Sequence, residues 1–375
     1  MMYFLYHWNV TYAQLHGTRP DSLLNVLQYI SFRSIAAALT SFLLSLMFGN
    51  WVIRRLIGLK VGQPIRTKEQ VRELAALHGG KAGTPTMGGV LLLGTVVVST
   101  LLWARMTNHA IWLALFTILY LGLLGFADDY LKVTKKKSDG LHARVKMLAQ
   151  LVLAAVVTAF FLFDPASEVQ ARALYAPFYK EPVIFNLGWA TFFFFALVVV
   201  GTSNAVNLTD GLDGLATGCT VTAALAFAVL AYVAGNVKIS SYLQIPFFPF
   251  TGELTVVCMA LAGAGLGFLW FNCHPARVFM GDTGSLAIGG VLGVVAICCK
   301  QELLLLVVGG VFVMEALSVI LQVMSFKLTG RRIFAMSPIH HHFELKGWKE
   351  NTVIVRFWIL SVMFAALGLA TLKLR

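Results

Sequence analysis

Five short polar clusters interrupt an otherwise apolar chain, and each carries side chains able to handle charge. Asp128 and Asp129 are adjacent; two like charges at a membrane boundary need a divalent cation or a basic partner to neutralise them. Asn204 to Leu215 crowds Asn207, Asp210 and Asp213 together with Gly211 and Gly214. The two carboxylates lie three apart, so a helical turn would put them on one face, and the glycines would let a ligand or cation approach the backbone. Asp282 stands between Gly281 and Thr283-Gly284, an open, oxygen-rich setting that suits Mg²⁺. His340, His341 and His342, followed by Glu344, could hydrogen-bond phosphate oxygens or accept a proton, and they lack the spacing of a zinc protease. Lys81 to Gly89 is a Gly-Pro segment without P-loop spacing, weak as a motif by itself. Taken singly, each cluster could be a solvated helix end, a polar turn or a structural histidine.

The elements that must position these clusters are membrane helices. Hydrophobic residues make up 58% of the 375 residues and charged residues 12%, far from the soluble globular balance. Apolar runs fit ten spans, at about 26–48, 86–104, 111–127, 147–163, 189–206, 215–235, 254–271, 284–299, 303–325 and 353–372. The expected fold is an all-α integral membrane protein, one polytopic domain over 1–375. The first span has no basic run before it and no small-residue cleavage site after it, so the N-terminus is expected to be retained. The five cysteines show no metal or redox spacing and read as small buried residues. Gly263 to Gly267 and Gly289 to Gly293 read as close helix packing. Arg33 and Glu315 fall within spans and require partners or a route to the interface.

The net charge of +12 reflects topology rather than nucleic-acid binding. Lys and Arg crowd into the loops after spans one, three and nine, which predicts that odd-numbered loops are cytoplasmic and both termini periplasmic. Lys135 to Lys137 fit two readings, an orientation signal or a headgroup contact. All the polar clusters fall on the same odd loops. Transporters more often place ionisable groups near the bilayer midplane, so clusters at span ends point to an enzyme working at the inner surface.

In order and spacing, Lys81 to Gly89, Asp128-Asp129, Asn204 to Leu215, Phe279 to Leu286 and His340 to Glu344 resemble the polyprenyl-phosphate N-acetylhexosamine-1-phosphate transferases. The match runs from about residue 25 to the C-terminus, and Thr84 to Gly89 with the triple histidine is similar to the branch handling the muramoyl pentapeptide. The resemblance implies a bacterial inner-membrane enzyme that moves phospho-MurNAc-pentapeptide from UDP-MurNAc-pentapeptide to undecaprenyl phosphate, giving lipid I and UMP with Mg²⁺. It implies Asp282 as the metal ligand and Asp128, Asp129 and His340 as further catalytic residues. Lys81, Thr86, Lys132, Asn207, Asp210, Asp213, Phe279, His341 and His342 would bind substrate, with Phe279 offering a stacking face for uracil. A homodimer is compatible with it. Two other readings are a sister transferase for a different HexNAc-1-phosphate and a transporter or lipid-phosphate scaffold, the latter predicting no UMP release.

Overall fold

A computed structural model describes residues 1–17, 24–59, 83–135, 140–163 and 168–373. The described residues are built on ten apolar helices: α1 (Ile30–Gly58), α2 (Gly89–Trp103), α3 (His109–Lys135), α4 (Ala143–Leu162), α5 (Ala190–Thr209), α6 (Leu215–Ala234), α7 (Leu254–Asn272), α8 (Gly281–Cys298), α9 (Gly310–Thr329) and α10 (Glu350–Ala370). Among the described residues no β-strand forms, and an isolated bridge joins Leu174 to Ile184. Nine of the helices are long and apolar enough to span a bilayer. The exception is α2, with 15 residues, because the preceding Thr84 to Gly88 runs as an irregular segment pinned to Phe279 and Met280. Short helices cover Met2–Leu15, Glu302–Val308 and Ile339–Leu345.

The ninth expected span, 303–325, is not continuous. Helix Glu302–Val308 stops at Gly309, and α9 starts afresh at Gly310. Two consecutive glycines weaken helical propagation, and the Phe364 ring packs so closely that a Cβ at Gly310 would lie 2.6 Å from it.

Helices α7 and α8 form the centre, buried along nearly their whole length. Small residues make this possible. On α7, Gly267 approaches Phe42 and Ser45 of α1; on α8, Gly293 lies against Val198 and Thr202 of α5. The glycine-rich stretches therefore pack as expected. Arg33 finds its partner at one end of the bundle, in a buried pair with both carboxylate oxygens of Glu253 at 2.6 and 2.7 Å. Four cysteines are buried; Cys273 is exposed, because it follows the last turn of α7 where the chain leaves the bundle.

Candidate active site

At the other end of the bundle the ends of α3 and α5 meet the starts of α4 and α8. The last turns of α3 carry Asp128, Asp129 and Lys132. Gly125, one turn earlier, lets α3 lie against the first residues of α8, since any Cβ there would overlap the Asp282 carbonyl. Helix α8 begins at Gly281, whose φ of 73° favours glycine. Its first amides have no partner within their own helix. Asp129 supplies one from α3, accepting from the Asp282 amide at 3.2 Å, the Thr283 amide at 3.0 Å and the Thr283 hydroxyl at 2.8 Å. A carboxylate at a helix N-terminus is favourably placed against the helix dipole, so Asp129 fixes the position of Asp282.

Asp128 is fully buried. It accepts from the Leu141 amide at 2.6 Å and pairs with Lys132 at 2.7 Å and Lys146 at 2.8 Å. The same two ammonium groups reach Asp282 Oδ2 at 3.1 and 2.8 Å, while Asn207 Nδ2 donates to Asp282 Oδ1 at 2.9 Å. Three carboxylates and two lysines thus form one network. Ligand atoms of Asp128, Asp129 and Asp282 lie within 4.8 Å of one another, an all-oxygen donor set of the kind hard cations such as Mg²⁺ prefer. Asp282 has the most exposed side chain of the three, 16% against 0% and 4%, so it would be the first ligand.

The network opens into a cavity of about 750 Å³ whose lining includes Lys132, Lys146, Asn207, Asp210, Asp282 and His340. Asp210 follows the end of α5, and burial together with the charges of Asp282 and Asp129 pushes its carboxyl up to about 7. His341 also lines the cavity, its Nδ1 2.8 Å from Glu344. A Cβ at Gly211 would overlap His340 Nε2, so the turn after α5 and the histidine helix touch directly.

Other positions lie outside the cavity lining. Asp210 and Asp213 do not share a helical face, because α5 ends at Thr209 and Gly214 adopts φ 76°. Asp213 turns to the loop after α7, contacting His274 Nδ1 and accepting from the Ala276 amide, both at 3.0 Å. Thr86 is buried beside Gly281. Phe279 is joined to Pro85 and Gly88 by backbone hydrogen bonds. His342 Nδ1 accepts from the Ala335 amide at 3.0 Å and braces its own loop. Lys81 lies outside the described residues.

Lys146 joins the charge network without having stood out in the sequence. It sits in the first turn of α4, and no spacing ties it to Asp128 or Asp282. Glu315 was visible as an intramembrane carboxylate; its neighbour is His340, with Nδ1 and Oε2 3.1 Å apart.

Comparison with known proteins identifies the family. Residues 111–300 match the model of glycosyl transferase family 4, and residues 81–93 match phospho-N-acetylmuramoyl-pentapeptide-transferase signature 1. The chain is 56% identical over 353 residues to the phospho-N-acetylmuramoyl-pentapeptide-transferase of Methylacidiphilum infernorum, covering 94% of this chain and 96% of that protein. It is 51% identical over 362 residues to the protein of the same name from Syntrophus aciditrophicus, covering 96% and 98%.

Proposed function

Because the chain belongs to glycosyl transferase family 4, among its phospho-N-acetylmuramoyl-pentapeptide transferases, we propose that it moves phospho-MurNAc-pentapeptide from its UDP carrier to undecaprenyl phosphate. The products are lipid I and UMP, and the protein is a multi-pass component of the bacterial cytoplasmic membrane. The observation that carries this reading is the carboxylate–lysine network opening into a cavity at one end of an apolar bundle. A soluble nucleotide and a membrane lipid can meet only at such an interface. The excess of Lys and Arg in the odd-numbered loops supports an orientation with that end toward the cytoplasm and both termini outside.

A lipid-phosphate oxygen attacks the sugar-bearing phosphorus; that P–O bond forms as the bond to the bridging oxygen breaks, and UMP departs with the bridging oxygen. One anhydride replaces another, so no external energy source is required. Lys132 and Lys146 line the cavity and would meet the negative charge that gathers on the transferring phosphate. Asn207 orients Asp282 through its amide, and Asp129 holds the start of α8 in register. Asp282, supported by Asp128, would hold Mg²⁺, which would neutralise pyrophosphate charge and stabilise the leaving UMP phosphate. Asp128 and Asp129 are committed to ammonium and amide partners, which favours direct attack over a phospho-enzyme on either carboxylate.

The test uses purified protein with undecaprenyl phosphate and labelled UDP-MurNAc-pentapeptide or UDP-GlcNAc, with Mg²⁺ or a chelator. Lipid-linked label and UMP from the muramoyl donor alone, lost with chelator and in Asp282→Asn, is the expected result. Product from UDP-GlcNAc instead would move the chain to a sister activity. Binding without UMP release would leave only a scaffold.

A further inference from the structure

Glu315 sits in the first half of α9, whose one basic residue, Lys327, lies in its last turn, and the Glu315 side chain is fully buried. A carboxylate there costs several kcal/mol on the order of a buried, unpaired ion, so it needs a partner. The one ion-pair contact it makes among the described residues is with His340, also fully buried, whose Nδ1 lies 3.1 Å from Glu315 Oε2. The two groups approach without being aligned as a hydrogen bond, and none of their four polar atoms has another hydrogen-bond partner. Catalytic hydrogen bonds commonly align only when substrate is bound. On its other side the same imidazole lines the cavity, with Nε2 against Gly211.

We propose that Glu315 is a positioning residue for the transfer reaction. It holds the His340 ring with Nδ1–H toward the bundle interior and Nε2 toward the cavity, where Nε2 accepts the proton of the lipid phosphate. A carboxylate on one ring nitrogen fixes which nitrogen is left to act. The proton moves from a phosphate O–H to Nε2, the freed oxygen forms the new P–O bond, and the resulting imidazolium is neutralised by Glu315. His341 also lines the cavity, but its Nδ1 pairs with Glu344 on its own short helix at 2.8 Å, so its orientation does not depend on Glu315. The inference rests on the cavity being the transferase site.

The experiment measures kcat and KM for the UDP donor in full-length wild type, Glu315→Leu, Glu315→Gln, His340→Ala and the two double variants. Turnover is expressed per nucleotide-binding site, so that loss of folded protein does not register as loss of catalysis. Glu315→Leu is expected to lower kcat by about 10- to 100-fold with KM unchanged. Glu315→Gln keeps an acceptor for Nδ1–H and should lose less. In the His340→Ala background neither change should cost anything more. An equal loss in both backgrounds, a loss confined to the number of binding sites, or full activity in Glu315→Leu would overturn the proposal. Should the leucine variant not fold, the glutamine pair carries the same comparison. No lipid-linked product from wild type would instead remove the underlying reading, and an active wild type with an additive cycle would remove only the role of Glu315.

Discussion

Replacing Gly125 by alanine adds one carbon at the contact between α3 and α8. That carbon would overlap the Asp282 carbonyl and stand 2.6 Å from the Thr283 amide nitrogen. An ordinary carbon–polar contact needs ~3.3 Å, so the helices must separate by at least ~0.7 Å. Both obstructing atoms are backbone, and no side chain can rotate to make room. The Thr283 amide donates to Asp129 at 3.0 Å and the Asp282 amide at 3.2 Å. A displacement of this size takes both past about 3.6 Å, where a hydrogen bond no longer exists. Asp282 then loses its register against Asp128, Lys132 and Lys146. Misplacing reacting groups by about 1 Å costs on the order of 100-fold in rate, and overpacking costs about 1–3 kcal/mol of stability. Gly94→Ala on α2 is the control, because nothing lies within 4 Å of a Cβ there. Initial rates of UMP release and thermal unfolding in detergent should show Gly125→Ala slowed by tens- to a hundredfold and Gly94→Ala at the wild-type rate. A Gly125→Ala enzyme with wild-type kcat and unfolding temperature would refute the reasoning that this close approach sets the site.

Lys146→Met leaves one ammonium to serve three carboxylates; kcat should fall on the order of 100-fold and less Mg²⁺ should be needed for half-maximal rate, and an unchanged rate would exclude Lys146 from the machinery. Asp210 titrates near 7 in the folded chain and near ~3.9 when unfolded. The folded state therefore holds the extra proton, and this contribution to stability, full below the unfolded value, is lost as pH rises from ~4 through 7. Mg²⁺ competes with that proton, so the rise in unfolding temperature on adding Mg²⁺ should be larger at about pH 8 than at about pH 5.5; equal rises would count against a cation beside Asp210. Arg33→Met strands Glu253 at the opposite end of the bundle; unfolding should become easier by about 3–5 kcal/mol while turnover per folded molecule is unchanged, and a turnover defect would mean the two ends are coupled.

The sequence by itself determined the membrane class, nearly all the spans and the grouping of charge at span ends, because hydrophobic runs of bilayer length and the cost of charge in lipid are local properties. Asp128, Asp282 and the histidine run were legible for the same reason, since each interrupts an apolar run with side chains that lipid does not tolerate. The glycine stretches of α7 and α8 also announced close packing, because small residues repeat there.

The tertiary structure decided which charges meet. Lys146 is 136 residues from Asp282, and nothing local joins them; the meeting of the starts of α4 and α8 at one end of the bundle does. Asp129 looked equivalent to Asp128 until α8 placed its free amides against one and not the other. Asp210 and Asp213 parted because α5 ends between its last turn and a left-handed glycine, aiming one carboxylate at the cavity and the other at His274. Glu315 showed only as a cost in the sequence, and its partner came from a helix 25 positions later. A sequence records which side chains would be expensive to bury alone; only the packing of helices selects the neighbour that makes each one affordable.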